Sequence, residues 1–119
     1  MLLCWGLALW GSPEGRVLQL NSDGTASIHG RVEENYRGCA RDGVCYFKLG
    51  SGESDIHVVY SPGETDALPP NGALVPQLMK VQPGAVIAAH GFHRQSGRLH
   101  TIDVYSKKEY FVHVLADGR

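Results

Sequence analysis

Apolar and polar residues alternate with a period of two along most of this chain, which predicts strands whose faces separate core from surface. Thr25 to Tyr36 (TASIHGRVEENY) puts Ala26, Ile28, Gly30 and Val32 on one face and His29, Arg31 and Glu33 on the other. Val44 to Leu49 (VCYFKL) groups Cys45, Phe47 and Leu49 against Tyr46 and Lys48. Asp55 to Ser61 (DIHVVYS) groups Ile56, Val58 and Tyr60 against His57 and Val59. From Pro83 to Lys107, two β-branched runs flank Ser96-Gly97, which reads as the centre of a two-residue hairpin turn. That turn sets His93 against His100, Phe92 against Thr101, Gly91 against Ile102, His90 against Asp103 and Ala89 against Val104. Ile87, Ala89, Gly91, Ile102 and Val104 then share an inward face, with a small-residue kink at Gly91. The expected core is Ile28, Val32, Phe47, Leu49, Ile56, Val58, Ile87, Ala89, Ile102 and Val104.

Between the third and fourth strands, Ala73 to Val81 (ALVPQLMKV) predicts about two turns of helix, with Pro76 early where proline is tolerated. This helix is expected to plug an open barrel end. Gly50 to Ser54 is the loop of the second hairpin, and Ser61 to Gly72 is a proline-containing loop. Val17 to Leu20 reads as a short strand or tether, and Glu109 to Leu115 as a last strand or a short helix. The first ten residues, MLLCWGLALW, are apolar, too short to span a bilayer and without a basic flank. They read as a clipped export signal or a mis-set start, or else as an extra strand or apolar tail packed on the sheet. Cys4 is too close to the start for lipid attachment. The division expected is 1–24 as an apolar segment and approach, and 25–119 as a single domain.

Composition narrows the function classes. A chain of 119 residues with 43% hydrophobic and 19% charged residues supports one ordinary core and excludes disordered or collagen-like readings. A net charge of −1 excludes gripping duplex phosphate by bulk charge, so any nucleic-acid contact must rest on a local patch. Cys39 and Cys45 bracket a turn-rich loop. A disulfide there staples the loop to the next strand; two free thiols are the alternative, and a metal site lacks further ligands at close spacing. Six histidines raise acid-base or metal chemistry. His93 facing His100 is half a metal site without a third ligand, and His90 facing Asp103 lacks a nucleophile with a recognisable surrounding motif. Neither phosphate-loop glycine motif occurs. No catalytic residue, metal site or cofactor is therefore assigned.

Five strands, a helix between the third and fourth, and glycine bends in the first and fourth give an all-β, five-stranded antiparallel barrel of the OB Greek-key type. GRV at Gly30–Val32, DGVCYFKLGSGESDIHVVYSPGE at Asp42–Glu64 and VQPGAVIAAHG at Val81–Gly91 resemble, in that order, the OB domains of the anticodon-binding and exonuclease VII large-subunit type. The resemblance covers roughly residues 25–106. It implies a nonenzymatic binding face on the second and third strands and their flanks, carried here by Tyr46, Lys48 and His57 with Arg31, Phe92 and Arg94. The ligand it implies is single-stranded nucleic acid. Glu33, Glu34, Asp55, Glu64 and Asp66 lie among or beside these positions and lower the local potential. The alternative is an exported or envelope module that binds a protein, peptide or glycan, suggested by the apolar start and the Cys39/Cys45 pair.

Overall fold

The computed structural model describes residues 17–39, 43–50, 55–61, 63 and 70–118. The expectations for the apolar start, Cys4 and most of the two loops around 51–54 and 62–69 lie outside the described residues. Seven strands follow one another: β1 (Val17–Leu20), β2 (Thr25–Arg37), β3 (Cys45–Leu49), β4 (Asp55–Ser61), β5 (Val86–Ser96), β6 (Leu99–Asp103) and β7 (Phe111–Ala116). A 3₁₀ turn at Gly72–Leu74 runs into a single α-turn, α1 (Val75–Leu78), between β4 and β5. The helix is shorter than the pattern from Ala73 to Val81 suggests, but Leu78 is buried and Val75, Met79 and Val81 pack on the core.

The strands pair in the order β1-β2-β3-β4-β6-β5-β7, and β2 also pairs with β5, so β2, β3, β4, β6 and β5 close a five-stranded barrel. This barrel is compatible with an OB-like fold. It is not purely antiparallel as expected, because β4 and β6 run parallel, with Val58 beside Ile102. Alternation reports which face a residue takes and carries nothing about strand direction. Here β5 reverses the chain between β4 and β6, leaving those two neighbours pointing the same way. β1 and β7 extend the sheet beyond the barrel, on the free parts of β2 and β5.

All ten expected core residues are buried, together with Ala26, Cys45, Tyr60, Leu78, Tyr110 and Val112. The β5–β6 hairpin corrects the expected register. Ser96 pairs with Leu99, His93 with Ile102 and Phe92 with Asp103, so the turn centres on Gly97-Arg98. Gly97 has φ +59°, which suits the first central position of a two-residue hairpin that demands positive φ there. The shift is two residues, and side chains alternate with period two, so every residue keeps its face. This is why the core assignment survives a wrong turn. Gly91 has no room for a side chain: a Cβ there would run into the Asp103 carbonyl across the hairpin.

Two asparagines tie the α1 segment to the barrel. Asn35 Nδ2 donates to the carbonyls of Leu78 and Val81, both at 2.9 Å, and Asn35 Oδ1 accepts the buried Tyr60 hydroxyl at 2.7 Å. Burial then pushes the Tyr60 phenol up to about 12. Asn71, just before the 3₁₀ turn, directs its Nδ2 at the carbonyls of Val104, Lys107 and Tyr110. These contacts serve carbonyls of a single helical turn and an irregular loop, of which Leu78 and Lys107 also accept the backbone N–H groups of Val81 and Tyr110.

Candidate binding face

β3 and β4 present their polar residues outward because Cys45, Phe47, Leu49, Ile56, Val58 and Tyr60 occupy the core. On β2 the same outward face is reached through a bulge. Val32 pairs with Leu49 and Glu34 with Lys48, so Glu33 is an extra residue between them. The bulge turns Glu34 and Tyr36 outward and Asn35 inward, the reverse of what uninterrupted alternation from Val32 gives.

Two rungs of cross-strand neighbours therefore circle the barrel's outer face. One runs Glu34, Lys48, His57, Thr101, Arg94 across β2, β3, β4, β6 and β5. The next runs Tyr36, Tyr46, Val59, Asp103, Phe92 across the same strands. Five of the six residues singled out from sequence (Tyr46, Lys48, His57, Phe92 and Arg94) lie on these rungs. Tyr46, Lys48 and His57 are contiguous. Arg94 lies two strands beyond His57, roughly 10 Å along the curved sheet, with its guanidinium 5.4 Å from the Phe92 ring centroid. Arg31 stands apart: on β2 opposite Val86, it donates from Nη1 to the Gly84 carbonyl at 2.8 Å.

The rings form a ladder. Tyr36 stacks on Tyr46 with centroids 5.0 Å apart, and Tyr46 stacks on His57 at 4.2 Å. Tyr36 packs over the buried Gly38, where a Cβ would sit 2.6 Å from its ring. Tyr46 has a ring on both sides, so the ladder offers outward the far face of His57, toward the small Thr101, and the ring edges with the tyrosine hydroxyls. Burial holds the His57 imidazole below its ordinary range, with Asp55 and Glu34 opposing and Lys48 adding to the effect. Burial, helped by Glu34, pushes the Tyr46 phenol up. At neutral pH Tyr46 and His57 are thus uncharged, and among the described residues Lys48, Glu34 and Asp55 are the charged groups that act on His57.

Glu34 was expected only as a nearby negative charge, and Tyr36 was not singled out, because the period-two alternation that sorts β2 breaks at Glu33. The signal was present: the adjacent charged residues Glu33-Glu34 break the alternation inside a strand. The expected His90–Asp103 pair does not form. The register places Asp103 opposite Phe92, its Oδ1 accepts the backbone N–H groups of Tyr105 and Ser106, and His90 Nδ1 instead meets the Ser27 hydroxyl at 2.9 Å. A second ring series, His90, Phe111 and His113, stacks on the outer face of β5 and β7. Cys39 and Cys45 are bonded, S–S 2.06 Å, which anchors the loop after β2 to the start of β3 beside the ladder. Among the described residues no group of three or more His, Cys, Asp or Glu side chains is placed to hold a metal ion, and no helix is long and apolar enough to cross a membrane.

Neither protein-family models nor curated proteins give a match to this chain.

Proposed function

We propose that this chain is a nonenzymatic OB-like binding module of an oxidising compartment, with a glycan chain as its ligand, seated across the Tyr36–Tyr46–His57 ladder. The observation that carries this reading is the Tyr36–Tyr46–His57 ring ladder, on whose His57 two carboxylates, Glu34 and Asp55, and one cation, Lys48, act among the described residues. Ring edges and one free ring face suit the C–H faces of sugars. Tyrosine hydroxyls, Glu34 and Asp55 suit their hydroxyl groups, since carboxylates accept strong hydrogen bonds. The Cys39–Cys45 bond supports export, because such bonds persist outside the reducing cytosol.

A second reading, single-stranded nucleic acid, draws on the resemblance to the anticodon-binding and exonuclease VII type and on Lys48, Phe92 and Arg94 along the same rungs. It is weakened by the ladder's own stacking, which leaves few faces for bases, and by Glu34 and Asp55, which repel phosphate. Titration of neutral oligosaccharides and of single-stranded oligonucleotides at low salt separates the two. A glycan site binds with little salt dependence and weakens on acidification, as His57 takes up a proton that its ligand-covered position disfavours. A nucleic-acid site weakens steeply with salt and tightens on acidification. In either case Tyr46→Ala removes the middle ring of the ladder and should weaken binding. Oligonucleotide binding with a steep salt slope, and no glycan binding, overturns the proposal.

A further inference from the structure

β7 ends the strand order, and the hydrogen bonds of β5 fix which way its backbone groups point. The Val32 N–H donates to the Ala85 carbonyl at 2.7 Å and the His93 N–H to the Gly24 carbonyl at 2.9 Å, so the odd-numbered residues of β5 turn their backbone groups toward β2. Ala88 and His90 turn theirs the other way, toward His113 and Phe111 of β7. The intervening residues of β7, Val112 and Val114, therefore direct an N–H and a carbonyl each away from β5, to a side where no strand pairs with them among the described residues. We propose that this edge pairs with the same edge of a second copy of the chain, giving an antiparallel β7–β7 dimer with its twofold axis at His113.

A second copy is the occupant that this strand fits. Natural edge strands are blunted by charge, by proline or by a bulge. Phe111–Ala116 (FVHVLA) contains no Asp, Glu, Lys, Arg or Pro, and its bulge at Leu115 lies beyond the open groups, so no fixed charge on the strand opposes its own copy. The open groups are also symmetric about His113. In an antiparallel pair centred there, Val112 of each chain exchanges two hydrogen bonds with the partner's Val114, and the four bonds use every open group of both residues. The same register sets Phe111 opposite the partner's Leu115, so that the 53% exposed Leu115 of each chain gains an apolar neighbour. β1, at the other end of the sheet, is only four residues long. Six residues a side make a small interface, so the dimer belongs in the micromolar rather than the nanomolar range.

The test is sedimentation velocity on the full chain over roughly 1 μM to 1 mM, with the disulfide intact and in a Cys4→Ser background that prevents disulfide-linked pairs. Mass should rise from monomer to dimer across this range, and amide hydrogen exchange at Val112 and Val114 should slow as the dimer fills. Val114→Pro removes an N–H that no strand of its own chain uses, and with it one interchain hydrogen bond per copy, so dissociation should strengthen at least about tenfold. His113→Asp sets two carboxylates face to face at the axis and should weaken the dimer several-fold. His113 is exposed, so this variant keeps the fold even if proline at 114 does not, which melting curves verify. His29→Asp, exposed on β2 of the same outer face and away from the edge, should dimerise as the parent does. A chain that stays monomeric throughout overturns the proposal, and so does a dimer that His113→Asp leaves unchanged.

Discussion

Replacing Asn35 by alanine should be among the most damaging single changes in this protein, although the residue is neither apolar nor fully buried. Its amide makes three contacts: to the Tyr60 hydroxyl and to the Leu78 and Val81 carbonyls. Net contributions of about 1 kcal/mol per hydrogen bond put the loss near 3 kcal/mol, and the stranded phenol adds to it. Tyr60 is 1% exposed, so water cannot take over that bond without opening the core. In urea, with a slope of about 1.2 kcal/mol/M, the unfolding midpoint should fall by roughly 2.5 M. A double-mutant cycle sharpens the test. Tyr60→Phe alone costs about 1 kcal/mol, but in the Asn35→Ala background it should cost nothing or restore stability, because it removes the orphaned hydroxyl. Strict additivity of the two changes, or a cost below about 1 kcal/mol for Asn35→Ala, would refute the account of how α1 is held.

Gly91→Ala forces a methyl against the Asp103 carbonyl and should cost roughly 2 to 4 kcal/mol, visible as a drop in melting temperature, while Gly97→Ala costs less because its surroundings are open and only its positive φ is strained. Breaking the Cys39–Cys45 bond with Cys39→Ser should remove about 2 kcal/mol, the loop-closure entropy of so small a ring, and reduction of the wild type should give the same urea midpoint as the variant. His57 is held below its ordinary 6.5 in the fold. The unfolded chain therefore takes up that proton first, and the linked stability is complete above about 6.5 and declines as the pH falls through that value. A His57→Gln variant should lose this part of the decline when melting is compared near pH 7.5 and pH 5, and an unaltered difference between the two pH values would show that other groups carry it.

The core was legible in the sequence because burial follows period two, and period two is indifferent to several errors. The misplaced turn shifted each β5–β6 pair by two positions, yet Ala89 and Val104 stayed inside and Phe92 and Arg94 stayed outside. Contacts are less forgiving. The same shift removed the His90–Asp103 pair and put His93 and His100 in diagonal rather than direct opposition. Strand direction left no mark on the pattern, so the parallel β4–β6 pair was not foreseen. Asn35 and Asn71 were also illegible, since an asparagine reads as a turn residue until the carbonyls it serves are brought beside it. At the candidate site, Tyr46, Lys48 and His57 were found because strict alternation reaches them, and Tyr36 was missed because one extra residue precedes it.

That extra residue, Glu33, has a bearing on how this chain should be compared with others. Its side chain is exposed, so its identity is free to drift while its presence fixes the parity of everything after it. Removing it joins the Val32–Leu49 and Glu34–Lys48 pairs into an uninterrupted ladder, with each later residue keeping its face and the strand losing its local bend. A relative without the bulge would therefore be one residue shorter at this point. Aligned without a gap, its outward residues would be matched to Glu33 and Asn35 and its core residues to Glu34 and Tyr36. A shared ring ladder would then go unrecognised in two chains that both possess it.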